Sequence, residues 1–359
     1  MRRIQCVLSF VLSLVLVFLT GCLTPEDPTL KDPKAKAENF YQYFDTLCAV
    51  LSYAGDSEEV FAENAELVRA SLERYHQIFD IYNSYVGVVN LHTLNKKAKD
   101  APVAVSDELF AFLVYAKGMY NLTGGVVNIA MGAVLSVWHE VREDAESNPD
   151  VRLPDKAQLD EAKLHTNIND LILDEQNKTV YFADPQMKLD VGALAKGYAT
   201  EQIGIMLEER GVTSYVLNFG GNIRAIGTRP SGAGWITGIT NPDKTSEKAF
   251  AVRIILKDVS LVTSGDYERY FVKDGVRYHH IIDPKTNYPA AYFSSISIHT
   301  DDSALADALS TALFCMSYED GKVLVDSLLQ KGVVVDVLWI DADGGLKMTD
   351  GFREILCDE

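Results

Sequence analysis

The sequence predicts a mixed α+β fold, and three observations carry that expectation. Helix-like and strand-like patterns alternate irregularly rather than in the strict rhythm of a parallel βαβ sheet. After Gly211 the chain reads mostly as strands that meander through turn signals. No internal repeat or low-complexity block interrupts the pattern beyond the first forty or so residues. Hydrophobic residues make up 47% and charged residues 23% of the 359-residue chain, as in an ordinary globular protein.

In chain order, FDTLCAVLSYAG reads as a first strand and residues 58–83 as a long amphipathic helix with apolar residues at helical spacing. DELFAFLVYAKGMYNLTGG is a second helix closed by Gly124 and Gly125. The charged stretch HEVREDAESNPDVRLPD reads as a linker-like surface excursion, followed by a short helix in PDKAQLDEAK. LILDEQNKTVYFAD is a hairpin, and ALAKGYATEQIGIMLEERG is a helix stopped by Gly211. SYVLNFGGNIRAIG, GWITGIT, AFAVRIILKD, VSLVTSGDYERYFVKDGVRYHHII and SSISIHT fit one meandering sheet, with Asp274-Gly275 as a tight turn. A helix in DSALADALSTALFCM, a short one in VLVDSLLQKG and a hairpin turning on Gly344-Gly345 complete the chain.

The start of the chain carries different information. Two arginines precede the apolar run VLSFVLSLVLVFLT, which is too short and wrongly flanked for a stable membrane span. It reads as a secretory signal. Leu19-Thr20-Gly21-Cys22 resembles a bacterial lipobox, so Cys22 is the expected lipidation site. The expected organisation is a signal over 1–21, a Pro-rich charged tether over 22–39 and one large folded domain over 40–359. The expected location is therefore extracytoplasmic, on a membrane, at the periplasmic face or cell surface. Formal net charge is -18, which repels phosphate backbones, so no nucleic-acid partner is expected. Cys48, Cys315 and Cys357 show neither a disulfide framework nor zinc spacing.

Four segments combine small and polar residues in ways a plain core does not require. In LDVGALAKGYATEQI, a helix start carries Lys196 and Gly197 in its first turn. Unpaired N–H groups and a lysine there suit a phosphate, against the plainer reading of a capped helix with an exposed lysine. In LNFGGNIRAIG, Gly220 and Gly221 allow either a turn or close approach of a ligand. In ALADALSTAL, Asp307 and Thr311 lie four apart among apolar neighbours. Together they suit a hard cation such as Mg²⁺; alternatively Thr311 bonds back to its own helix. In RYHHIIDPKTNYPA, alternation along a strand accounts for only one of His279 and His280 facing inward, and Asp283 can bind metal or hold a turn. DADGG at 341–345 lacks the later ligands of a calcium loop and reads as a hairpin turn.

Taken together, DVGALAKGYA, LNFGGNI, TSGDYERYF, YHHIIDPKT and ADALSTALF resemble, in order and spacing, the motif series of the ApbE family of FAD:protein FMN transferases. The resemblance covers the chain from about Phe40 onward and is strongest from Leu189 to Met316. It implies a largely antiparallel sheet with packed helices and an FAD site in a cleft between subdomains. It implies Mg²⁺ on Asp307, Thr311 and the Ala193 carbonyl, and flavin-nucleotide contacts from Asp190, Lys196, Gly220, Gly221 and Ile281. It also implies that His280 handles the acceptor proton, with Asp283 near it in a catalytic or metal-side role. Tyr85 resembles a tyrosine that lies against the adenine, though VGVVN replaces the family's usual acidic-Pro-Ser stretch after it. Asn128 and Met131, in NIAMG, fall at the place of a flavin-pocket loop. The implied reaction moves the FMN part of FAD onto a threonine hydroxyl of an exported acceptor protein and releases AMP. Two alternatives use the same residues: hydrolysis of FAD to FMN and AMP, and an FAD-binding carrier.

Overall fold

A computed structural model describes residues 32–357 apart from residue 149. The signal segment 1–21, the lipidation position Cys22 and most of the tether lie outside the described residues. The first strands are β1 (Lys36–Tyr43) and β2 (Thr46–Ser52), an antiparallel pair. Thus β1 begins inside the 22–39 segment read as tether. The turn between them places Phe44 and Asp45 at φ of 53 and 51.

Helix α1 (Glu58–Phe79) is capped by Ser57, whose hydroxyl accepts from Val60 N–H. It stops four residues short of the expected 58–83. The reason is Asp80, whose carboxylate takes the N–H groups of Tyr82 and Asn83 at 2.6 and 3.0 Å and folds the chain into a turn. A short α2 (Leu91–Lys97), absent from the sequence reading, starts on the Asn90 side chain. Then come β3 (Val103–Ala104), α3 (Asp107–Leu122), α4 (Gly132–Ala145) and α5 (Lys156–Lys163). Helix α4 corrects the linker expected from residue 139. Val134 and Trp138, one turn apart, are fully buried, so HEVREDA continues an amphipathic helix instead of leaving the surface.

The strands β4 (Leu171–Asp174) and β5 (Thr179–Phe182) form the expected hairpin, and α6 (Ala195–Glu209) follows. Next come β6 (Ser214–Phe219), β7 (Asn222–Gly227), β8 (Trp235–Thr240), β9 (Phe250–Leu256), β10 (Ser260–Gly265), β11 (Tyr270–Lys273) and β12 (Val276–His279). The tight pair β13 (Ile282–Asp283) and β14 (Tyr288–Pro289) leads to β15 (Ser295–Thr300). Helices α7 (Ser303–Phe314) and α8 (Tyr318–Gln330), strands β16 (Asp336–Ile340) and β17 (Leu346–Met348), and α9 (Asp350–Glu354) close the chain. α8 starts five residues before VLVDSLLQKG because Ser317 caps it through Asp320 N–H.

The fold is mixed α+β around an eight-stranded antiparallel sheet, ordered β1-β2-β6-β7-β10-β15-β16-β17. The single meander expected after Gly211 is corrected. β8–β9 and β11–β12 form separate two-stranded sheets, β9 making one further isolated bridge from Ile254 to Leu356. Both faces of the main sheet are covered. Val262, Val337 and Trp339 pack among the helices in the largest core, while their neighbours Leu261, Leu338 and Ile340 join Trp235, Ile254 and Phe352 on the other side. A third cluster joins Met131, Val134 and Trp138 to Ile282, with Phe271 and Tyr278 of the β11–β12 hairpin against it. That cluster ties α4 to the strand that ends in the paired histidines.

Candidate active site

The start of α6 and the middle of α7 are clasped together. Leu194, at the N-cap of α6, supplies no side-chain cap, so the first-turn N–H groups take partners from elsewhere: Ala195 N–H donates to the Val191 carbonyl. Gly197 N–H, at the third helical position where a helix offers no acceptor of its own, donates to the Asp307 carboxylate at 2.7 Å. The Ala193 carbonyl accepts no backbone hydrogen bond among the described residues. Gly197 is required by packing: a Cβ there would lie 2.3 Å from Asp307 Cβ and 2.5 Å from the Ser303 carbonyl. Lys196 Nζ approaches the other Asp307 oxygen at 3.8 Å, and its side chain is 27% exposed, so it turns inward rather than into solvent.

Asp307 is 3% exposed. Burial raises its pKa, against the pull of Lys196, the Gly197 N–H and the nearby Asn222 amide. Asn222 Nδ2 is itself buried without a partner of ordinary bonding geometry. One turn along α7, the Thr311 hydroxyl makes no hydrogen bond to the described residues. By contrast, Thr123 and Thr200 each bond back to the carbonyl four residues earlier at 2.7 Å. The alternative reading of Thr311 as a back-bonded helix residue therefore does not describe it. A buried carboxylate short of positive charge, a free hydroxyl and a free carbonyl form an all-oxygen donor set, which fits a hard divalent cation. Nearby, Gly220 and Gly221 are the two-residue turn between β6 and β7, at φ of 63 and 91. Gly220 abuts Thr46, whereas the space beside Gly221 is open.

The paired histidines divide their work. His279 is buried, its Nε2 bonded to the Ala290 carbonyl at 2.8 Å and its Nδ1 accepting from Ile281 N–H at 3.2 Å. It is a structural brace packed edge-on to Phe314. His280 is half-buried, and its Nδ1 has no partner. Burial first, then the charges of Arg269, Arg142 and Lys196, holds its imidazole neutral with a pKa pushed well below the usual histidine range. Ile281 lies in the core beneath it. Asp283 is buried, and its carboxylate takes Lys285 N–H at 2.8 Å while its carbonyl accepts from Thr286 and Asn287. It holds the turn.

A second side of the site runs along α4. Asp190 accepts from Gly192 N–H at 2.9 Å and lies 3.9 Å from His139 Nε2. His139 Nδ1 is bonded to the Tyr82 hydroxyl at 2.6 Å, and the two rings stack at 5.9 Å. Arg142, one turn on, stands within electrostatic reach of Tyr82, Asp190 and Arg269. Sequence reasoning missed Tyr82, His139, Arg142 and Arg269. Tyr85, chosen for the adenine, instead hydrogen-bonds Asp80 at 2.7 Å and contacts the His76 ring. Tyr82 is 57% exposed and faces the site. Asn128 spends its side chain on the Thr166 carbonyl and Ala130 N–H, and Met131 is buried beside Ile282. Both shape the loop from within.

The chain matches the model of the ApbE family over residues 44–335. It is 35% identical to the FAD:protein FMN transferase of Treponema pallidum, with 85% of this chain and 84% of that one covered. It is 30% identical to the FAD:protein FMN transferase of Klebsiella pneumoniae, over 70% of this chain and 74% of the relative. Among solved structures it is similar to an ApbE protein from Thermotoga maritima, with a TM-score of 0.78, 27% identity, and coverage of 91% and 100%. A flavin transferase ApbE from Vibrio cholerae superposes with a TM-score of 0.73 at 26% identity, covering 90% and 100%.

Proposed function

The chain belongs to the ApbE family, and from that premise we propose that it moves the FMN part of FAD onto a threonine hydroxyl of an exported acceptor protein, releasing AMP. It is an enzyme of flavin transfer. The observation that carries the finer reading is the clasp in which Gly197 N–H, at the start of α6, donates to the buried Asp307 carboxylate of α7.

The reaction is a phosphoryl transfer, which asks a protein mainly for positioning and charge neutralisation. Magnesium held by Asp307, Thr311 and the Ala193 carbonyl would neutralise charge on phosphate oxygens. Lys196 and the uncapped start of α6 add positive potential to the same place. The open side of Gly221 admits the nucleotide close to the backbone. His280, held neutral, receives the proton of the attacking hydroxyl on its imidazole. The hydroxyl oxygen bonds to the flavin-side phosphorus, the bond to the AMP oxygen breaks, and AMP leaves with that electron pair. Burial, and after it the charges of Arg269, Arg142 and Lys196, hold the His280 pKa low; a dianionic pyrophosphate beside it would offset those cations and strengthen it as a base. Tyr82, exposed and turned to the site, offers a face for a flat ring.

The site works outside the cytoplasm, held at a membrane by a lipid on Cys22; the Leu19–Cys22 sequence supports this. Replacing Cys22 with serine should release the protein from membranes, and unchanged membrane association would rule the anchor out. For the reaction, protein is mixed with FAD, Mg²⁺ and a domain bearing the threonine acceptor motif. FMN-labelled acceptor and stoichiometric AMP are expected, and chelation of Mg²⁺ should stop both. FMN and AMP released equally without acceptor would make the protein a hydrolase, and bound, unchanged FAD would make it a carrier.

A further inference from the structure

On the α4 side of the site, one strong donor has nothing to hold. Arg142 Nη1 is buried and has no hydrogen-bond partner among the described residues. Buried guanidinium donors are almost always paired, because leaving one bare costs about 1–3 kcal/mol or more. The nearby groups do not supply the pair. The Tyr82 hydroxyl is taken by His139, and Asp190 is bonded to Gly192 N–H. The other close side chain of consequence is a second guanidinium, Arg269, which makes only long contacts of 3.4 Å to the Phe44 and Asp45 carbonyls. The two guanidiniums repel, the carboxylates that act on Arg142, Asp190 and Glu143, make no hydrogen bond to either, and an anion placed there would relieve both. Burial lowers the Arg142 pKa, as expected for a cation awaiting its counter-charge.

The position of the pair says which anion. Arg142, Arg269 and Lys196 all bear electrostatically on His280. In the transfer reading, His280 takes the proton of the attacking hydroxyl, so the phosphorus under attack must sit within reach of that imidazole. Lys196 is turned to Asp307 at the clasp, which leaves the guanidiniums of Arg142 and Arg269 for the flavin-side phosphate. We propose that Arg142 binds a non-bridging oxygen of the phosphoryl group being transferred, with Arg269 on its flank. The inference rests on the flavin-transfer reading. It assigns α4 a part in the chemistry: the guanidinium donates to an oxygen whose charge grows as the acceptor oxygen bonds to phosphorus and the AMP oxygen departs.

The test uses the whole protein with FAD, Mg²⁺ and acceptor, comparing Arg142→Gln and Arg142→Lys with the unaltered chain. At saturating FAD, R142Q should lose about 10²-fold in rate, the scale of one transition-state donor. FAD affinity, read by flavin fluorescence, should change only a few-fold. Millimolar guanidinium ion should restore part of the R142Q rate, which a merely structural residue would not allow. R142K should fall between, since an ammonium keeps the charge and loses the fork. An R142Q rate within about two-fold of the unaltered enzyme would overturn the assignment. So would a loss that guanidinium fails to restore in a protein of normal thermal stability. If R142Q does not fold, an R142K enzyme of full rate decides against the assignment on its own. Unaltered enzyme that labels no acceptor would sink the transfer reading itself, and the role of Arg142 with it.

Discussion

At the clasp between α6 and α7, polar groups are bonded to one another before any substrate arrives: Gly197 to Asp307, Lys196 beside it, Glu201 to the Ser303 N–H at 2.7 Å. Along α4, polar groups of the same site are left open, with Arg142 Nη1 unpartnered and Tyr82 exposed. The first region is preorganised, and its geometry is fixed by the packing of two helices on the sheet. The second holds donors whose partners must come from outside. Phosphoryl transfer has use for both, since a fixed metal and phosphate seat can be rigid while the substrate's arrival completes the charge balance elsewhere.

The largest expected effect lies at the rigid end. Asp307→Ala should lower the AMP release rate by about 10³-fold or more, the several kcal/mol a metal supplies to a phosphoryl transition state. FAD retained by the folded variant shows that the loss is chemical, and a rate near normal would remove Asp307 from the mechanism. His280→Ala should lower transfer by about 10²–10⁴-fold. His279→Ala should leave the rate within several-fold yet destabilise the fold by about 1–3 kcal/mol, because it strands the Ala290 carbonyl and Ile281 N–H. Equal kinetic losses at the two histidines would erase the division between brace and base. Gly197→Ala should destabilise by about 1–3 kcal/mol in denaturant titrations as its Cβ pushes α6 from α7; unchanged stability would mean the clasp is looser than its contacts.

The smallest effect is in pH. Burial raises the Glu201 pKa from 4.5 to about 7. The folded state then keeps a proton that the unfolded chain has released, so stability falls as pH rises from about 4.5 to about 7 and levels off above. Glu201→Gln keeps an acceptor for Ser303 N–H and should flatten that slope in thermal melts. An identical slope in the variant would assign it to other groups.

The same contrast governs what could be read from the sequence. Asp307 and Thr311 were legible because helical spacing sets two oxygens on one face of an otherwise apolar helix. Gly197 was noted only beside Lys196 in a first helical turn, because the neighbour that requires it lies 110 positions away. Strand alternation predicts that one of His279 and His280 faces inward, and His279 is the buried one. The α4 side failed for a physical reason. HEVREDAESNPD is charged enough to pass for a loop, and only the burial of Val134 and Trp138 shows the helical stripe that carries His139 and Arg142 inward. Tyr85 rests on resemblance alone, and nothing local reveals that Asp80 binds its hydroxyl. Asp283 and Asn128 carry side chains that suit ligands and turns equally, and here bond within their own turns. The separate hairpins β8–β9 and β11–β12 were missed because pairing partners, unlike strand character, are set by tertiary packing.

The span of the Gly197–Asp307 bond also has a consequence for how the protein comes into being. Its two ends are separated by four of the main sheet's eight strands, β6, β7, β10 and β15, so the bond is a non-local contact that forms late. A growing chain has α6 long before it has α7, and until then the lysine and the glycine of the first helix have nothing to grip. Competence for the nucleotide therefore arrives late and in one step, near the end of synthesis and folding. Fragments that stop before Ser303 can be compact in part, but they cannot compete with the finished protein for flavin.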